Sequence, residues 1–262
     1  MPRLFDSHCH LDDRCYAGHV EDVLARARSA GVAACMVVGV TVASSERAAR
    51  IADLNRDVYS SVGIHPHDVG RCDENTIEVL RVIAENHPKV RAWGEVGLDF
   101  NRMYSPRHEQ EKWFERQVAE ARSLGLPLIF HERDSGGRFL EMLKACFPGC
   151  RGGVVHCFSG TRDELRAYLD LGLYIGITGV ITIKSRGENL RELVHYIPDD
   201  RILIETDAPY LTPAPERNRA KRNEPAFVRS VFKKLAQVKK SDPDTLAVQL
   251  WENTCRLFDI HP

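Results

Sequence analysis

The chain has 262 residues, 43% hydrophobic and 28% charged, the balance of a soluble globular domain with a sizeable core. Its formal net charge of −1 leaves no global basic field, so any nucleic-acid contact has to come from a local patch. No apolar run reaches the ~18 residues of a membrane span, and the N-terminus enters a charged strand at once, so a cytoplasmic protein is expected. The apolar run Arg3-Leu4-Phe5 leads into Asp6-Ser7-His8-Cys9-His10, which predicts a first strand delivering His8 and His10. Residues two apart share a strand face, so the two imidazoles project together while Cys9 points the other way.

Residues 20–30 then read as a helix ended by Gly31, and 32–40 as the continuous apolar run of a buried parallel strand. Ser44 and Ser45 are expected to cap a helix reaching about Asn55. A third strand at 58–64 closes on Gly63-Ile64-His65-Pro66-His67, and Asp73 or Asn75 opens a helix ending near His87. The fourth strand is expected at 90–96 with Glu95 near its end, followed by a long helix at 106–124 stopped by Gly125. Strands at 127–131, 153–158, 173–177 and 201–207 alternate with helices at 136–147, 163–171 and 189–197. Helices at 225–239 and 242–258 finish the chain. Eight strands alternating with helices predict a closed (β/α)8 TIM barrel as a single domain over 1–262, in preference to an open doubly wound sheet. The eight cysteines form no Cys-x-x-Cys pair and are expected to be free thiols.

Barrel enzymes build their sites at the C-terminal ends of the strands. Here those ends carry His8 and His10, His65 and His67, Glu95, His131, His156 and Asp207. Burying so many polar groups at one mouth costs free energy unless they share a partner, and imidazole with carboxylate suits divalent transition metals. Six convergent groups exceed the needs of one ion. His8, His10 and Asp207 are expected to hold one ion and His131 and His156 a second, with Glu95 bridging the two.

The motifs Asp6-Ser7-His8-Cys9-His10-Leu11-Asp12, Gly63-Ile64-His65-Pro66, Gly94-Glu95-Val96-Gly97-Leu98-Asp99, His131-Glu132-Arg133-Asp134, His156-Cys157-Phe158-Ser159-Gly160 and Glu205-Thr206-Asp207-Ala208-Pro209-Tyr210-Leu211 stand in the order of the TatD family of metal-dependent deoxyribonucleases, which the chain resembles from Phe5 to about Phe258. The resemblance implies a barrel of the amidohydrolase superfamily that hydrolyses phosphodiesters of DNA, often from a 3′ end. It implies the same metal ligands, His8, His10, Glu95, His131, His156 and Asp207, and places His65 and Arg133 at positions that meet the scissile phosphate.

The expected chemistry is attack by a water activated between two divalent ions, with Asp207 as general base and Glu95 as bridge. Four imidazoles favour zinc, manganese, cobalt or nickel in the isolated protein, with magnesium an option for activity. The basic loop 216–222 is a candidate contact for DNA phosphates, and a monomer is the expected state. Two rival readings are an ester or amide hydrolase, such as an aminoacyl-tRNA deacylase-like enzyme, and a metal- or nucleic-acid-binding module without turnover. A carboxylated-lysine amidohydrolase would carry Lys where Glu95 stands, and a non-catalytic module would lack a ligand.

Overall fold

In the computed structural model, which describes residues 2–261, eight parallel strands pair in chain order around a ring. They are β1 (Leu4–Cys9), β2 (Val32–Val38), β3 (Val58–Val62), β4 (Val90–Asp99), β5 (Leu128–Arg133), β6 (Gly153–Val155), β7 (Tyr174–Ile177) and β8 (Ile202–Ile204). The helices between and after them are α1 (Val20–Ser29), α2 (Val42–Leu54), α3 (Glu74–Asn86), α4 (Arg107–Leu124), α5 (Arg138–Cys146), α6 (Arg162–Asp170), α7 (Glu188–Leu193), α8 (Val228–Lys239) and α9 (Pro243–Phe258). The ring closes just beyond β8. Asp207 N–H donates to the His8 carbonyl at 2.9 Å, and His10 N–H to the Ala208 carbonyl at 2.7 Å. The backbone of three expected metal ligands, His8, His10 and Asp207, therefore joins the first strand to the last.

Strands covered on both faces read as continuous apolar runs, and β1, β6, β7 and β8 are buried throughout. Inside the ring, Phe5, Met36, Val38, Ala92, Ile129, Val154 and Leu203 form one cluster. Leu257 and Phe258 of α9 join it and close the end at which the strands begin. Each of the larger side chains among them contributes about 1.5–3 kcal/mol by leaving water. The opposite end is left to polar residues.

Several boundaries differ from the sequence reading, for local reasons. The fourth strand runs to Asp99, because Gly97, Leu98 and Asp99 continue the ladder opposite His131, Glu132 and Arg133. Glu95 is thus inside its strand, and the peptide bond between Gly94 and Glu95 is cis. Strands six and eight stop early, at Val155 and Ile204, so His156 and Asp207 sit on the loops beyond them. Thr41, not Ser44 or Ser45, caps α2, its hydroxyl accepting from Ser44 N–H at 3.1 Å. Ser44 is spent otherwise: its hydroxyl donates to Asp12 Oδ2 at 2.7 Å. Asp73 caps α3 in a reciprocal pair with Thr76. The eight cysteines are free, Cys146 and Cys150 included. No helix among the described residues is long and apolar enough to cross a membrane.

Candidate metal centre

At the polar end of the ring the His8 and His10 Nε2 atoms face each other at 3.2 Å. His8 Nε2 lies 3.5 Å from Glu95 Oε2 and 3.8 Å from Asp207 Oδ1, and His10 Nε2 lies 3.4 Å from that same oxygen. His156 Nε2 approaches Asp207 Oδ1 at 3.7 Å, and its ring stacks on His8 with centroids 3.6 Å apart. One carboxylate oxygen is thereby ringed by three imidazoles. Asp207 holds this place with a left-handed φ of 57°, and buried Asp6 ties down the preceding residue by accepting from Thr206 N at 2.8 Å and Thr206 Oγ1 at 2.6 Å.

Glu95 stands between two groups. While Oε2 faces His8, Oε1 is 2.7 Å from His131 Nδ1 and 3.6 Å from His65 Nε2. The ligand-type atoms of His8, His10 and Glu95 lie within 4.8 Å of one another, and so do those of His65, Glu95 and His131. A carboxylate with one oxygen in each cluster has the disposition of a bridge.

The sequence reading paired His131 with His156. Among the described residues no such cluster joins those two; His65 is the imidazole beside His131, at 3.2 Å, and His156 lies with His8 and Asp207. Proximity alone does not make His65 a ligand, however. Its Nδ1 accepts the His67 backbone N–H at 3.1 Å, so a neutral His65 carries its proton on Nε2 and presents a donor to the cleft.

Three other imidazoles, His10, His131 and His156, are held the opposite way round, with an oxygen beside one nitrogen and the second turned toward the cluster. His10 Nδ1 is 3.1 Å from the Val38 carbonyl oxygen. His131 Nε2 is 3.2 Å from Asp99 Oδ2, which leaves Nδ1 toward Glu95. His156 Nδ1 is 2.9 Å from Glu205 Oε1, although out of line for a hydrogen bond, which leaves Nε2 toward Asp207. Histidines oriented by a carboxylate or carbonyl behind them are the usual dress of a metal site, so this donor set fits divalent ions. His8 Nδ1 is buried without a partner.

Sequence reasoning gave Asp99, Glu205 and His67 no role behind the ligands. Asp99 Oδ2 also lies 2.8 Å from His67 Nε2, and its Oδ1 accepts from the backbone of Asn101 and Arg102. Their signal was spacing: Glu205 is two residues before Asp207, and Asp99 follows Glu95 within one strand.

Electrostatics follow from the crowding. Burial would depress every imidazole here, yet Asp207 and Glu95 outweigh it at His10, which is pushed up to about 9. Asp99 and Glu95 do the same for His131, and Glu205, Glu95 and Asp207 for His156, each to about 9. Burial wins at His8, aided by His156, and at His65, aided by His131, so both are depressed. Burial would raise Glu95 and Asp207, but the surrounding histidines hold Glu95 well below, and Asp207 below, the usual carboxylate range. The cluster stores protons where ions would sit.

Above these groups opens a cleft of about 930 Å³, lined among others by His65, Arg14, Arg102 and Arg133. Arg133 ends β5 and is exposed; the ion pair with Glu132 or Asp134 that would occupy it is not formed among the described residues. Glu132 instead accepts from Ser135, and Asp134 from Asn101. The basic loop 216–222 does not line the cleft. Its Arg222 donates to the Cys15 carbonyl and lies over the Tyr16 ring at 4.8 Å.

The sequence profile of the family described as "TatD related DNase" matches residues 5–259. A relative from Rahnella sp. (strain Y9602), named 3′-5′ ssDNA/RNA exonuclease TatD, is 44% identical over 239 residues, covering 90% of each chain. One of the same name from Salmonella typhimurium is 38% identical over 259 residues, covering 98% of this chain and 99% of its own. Among solved structures, YJJV, a TatD homologue from Escherichia coli K12, superposes with a TM-score of 0.91 at 30% identity, covering 99% of both chains.

Proposed function

Since the chain belongs to the TatD family of DNases, we propose that it is a metal-dependent hydrolase cleaving phosphodiester bonds of single-stranded DNA or RNA, working from a 3′ end. The observation that carries this reading is Glu95, one oxygen facing His8 and the other His131 and His65. We assign one ion to the side of His8, His10 and Asp207 and a second to the side of His131, with Glu95 shared; His156 is the sixth ligand, its Nε2 3.7 Å from Asp207 Oδ1. Imidazole-rich sites favour zinc, manganese, cobalt or nickel, and magnesium is an option for turnover. When bound, two such ions acidify the attacking water and neutralise charge on the phosphoryl group.

The side chains supply the rest. Asp207 is held ionised by its imidazoles and accepts the proton of the attacking water. His65 donates its Nε2–H to a non-bridging phosphate oxygen, the direction set by the His67 amide on Nδ1. Arg133, free of a carboxylate, offers its planar fork to the same phosphate. Asp99 and Glu205 hold His131 and His156 in register and take no part in proton transfer.

The test is purified protein with magnesium, manganese or zinc on single- and double-stranded DNA, RNA, a small phosphodiester and a carboxylic ester, with chelated controls. Metal-dependent shortening of single strands is the expected result. Ester hydrolysis with no phosphodiester cleavage would place the chain among acyl hydrolases instead. Gel filtration is expected to give a monomer.

A further inference from the structure

Two tyrosines stand at the mouth of the cleft, and the chemistry above uses neither. Tyr104, on the loop between β4 and α4, is 66% exposed, and Tyr210, on the loop after β8, is 55% exposed. Both line the cleft. They stand on opposite walls. Tyr104 packs edge-on against His67 with centroids 4.8 Å apart, on the side of His65 and His131. Tyr210 packs edge-on against His10 at 6.1 Å, on the side of His8 and Asp207. The edge-on packing fixes each ring and leaves much of its surface in water.

Glu95 lies between these walls. A phosphodiester seated over it sends one flanking nucleoside toward each tyrosine. Around the rim, Arg14, Arg102 and Arg133 have no ion-pair partner among the described residues, and they suit a polyanionic strand whose net charge this chain does not otherwise attract. We infer that Tyr104 and Tyr210 are the stacking residues for the two bases flanking the scissile bond. The inference rests on the phosphodiesterase reading and names the residues that carry its preference for unpaired strands.

The physical basis is simple. Every base has a π-face, so stacking on a tyrosine is tolerant of sequence. A base inside a duplex has both faces covered by its neighbours and has to be unstacked before a tyrosine can take their place. A single strand has those faces free.

The test compares kcat/KM on a single-stranded oligonucleotide with kcat/KM on the same strand carrying tetrahydrofuran abasic nucleotides on both sides of the scissile bond. It uses wild type, Tyr104→Ala, Tyr210→Ala and the corresponding Phe variants, with magnesium or manganese. Wild type is expected to prefer the intact strand by about 10-fold or more, since one stacked base is worth about 5- to 150-fold. Each Ala variant lowers that ratio toward one, and each Phe variant retains it. A wild-type ratio near one, or ratios unchanged in both Ala variants, overturns the inference while leaving the phosphodiesterase reading intact. Cleavage of neither strand in any divalent metal overturns that reading and the inference together.

Discussion

Asp207 has one carboxylate oxygen within 3.8 Å of the Nε2 atoms of His8, His10 and His156, and its φ of 57° aims it there. Asn keeps the shape but cannot take a proton, so Asp207→Asn is expected to lower kcat by about 10²–10⁴-fold while still binding metal. Near wild-type turnover would remove Asp207 as the base. His65 is assigned as a donor, not a ligand, so His65→Ala is expected to raise KM about 10-fold with metal content unchanged, and His65→Gln, which keeps an N–H, to recover part of the loss. Loss of a metal equivalent in the Ala variant would make His65 a ligand. The protons on His10, His131 and His156 provide a third check. Their values near 9 in the metal-free protein mean that at pH 7 these nitrogens are protonated and must release protons as ions bind. Apparent metal affinity is therefore expected to rise with pH between about 6 and 9, by up to about tenfold per unit for each proton displaced. Calorimetry in buffers of different ionisation heat reads that release directly, and a pH-independent affinity would contradict it.

At the level of elements, β4 carries most of the precision. A Cβ on Gly97 would fall 1.8 Å from the His131 carbonyl oxygen, and Gly97 has a φ of 155° that other residues rarely adopt. Gly97→Ala therefore has to push β5 away and with it His131. The expected cost is about 2–4 kcal/mol, a fall in Tm of roughly 5–10 °C, with weakened metal binding. An unchanged Tm would mean that β4 and β5 have room the structure does not show. The strands were legible in the sequence because apolar runs such as 32–38 have one physical meaning, burial on both faces. Their ends were less so: Gly97-Leu98-Asp99 reads as a turn until His131 to Arg133 pair with it. The convergence of His8, His10 and Glu95 could be read from barrel logic alone. The placing of His65 next to His131 could not, since it depends on ring direction and on a backbone amide from His67. The two tyrosines lie on loops, where spacing carries no information about facing.

For the molecule as a whole, the candidate centre is also a clasp. The backbone bonds that close the ring run between His8 or His10 and Asp207 or Ala208, so ions held there would staple the first strand to the last. Free metal at ~100 times its Kd contributes about 2.7 kcal/mol per site, so adding manganese or zinc to metal-free protein is expected to raise Tm by at least about 5 °C. A Tm indifferent to metal would deny the clasp. The central claim is a two-ion centre bridged by Glu95, and anomalous diffraction from manganese-soaked crystals tests it most directly. Two peaks are expected about 3.5–4 Å apart, one beside Glu95 Oε2 with His8 and His10, the other beside Oε1 with His131. A single peak not touching Glu95, or none at saturating metal, would contradict the account.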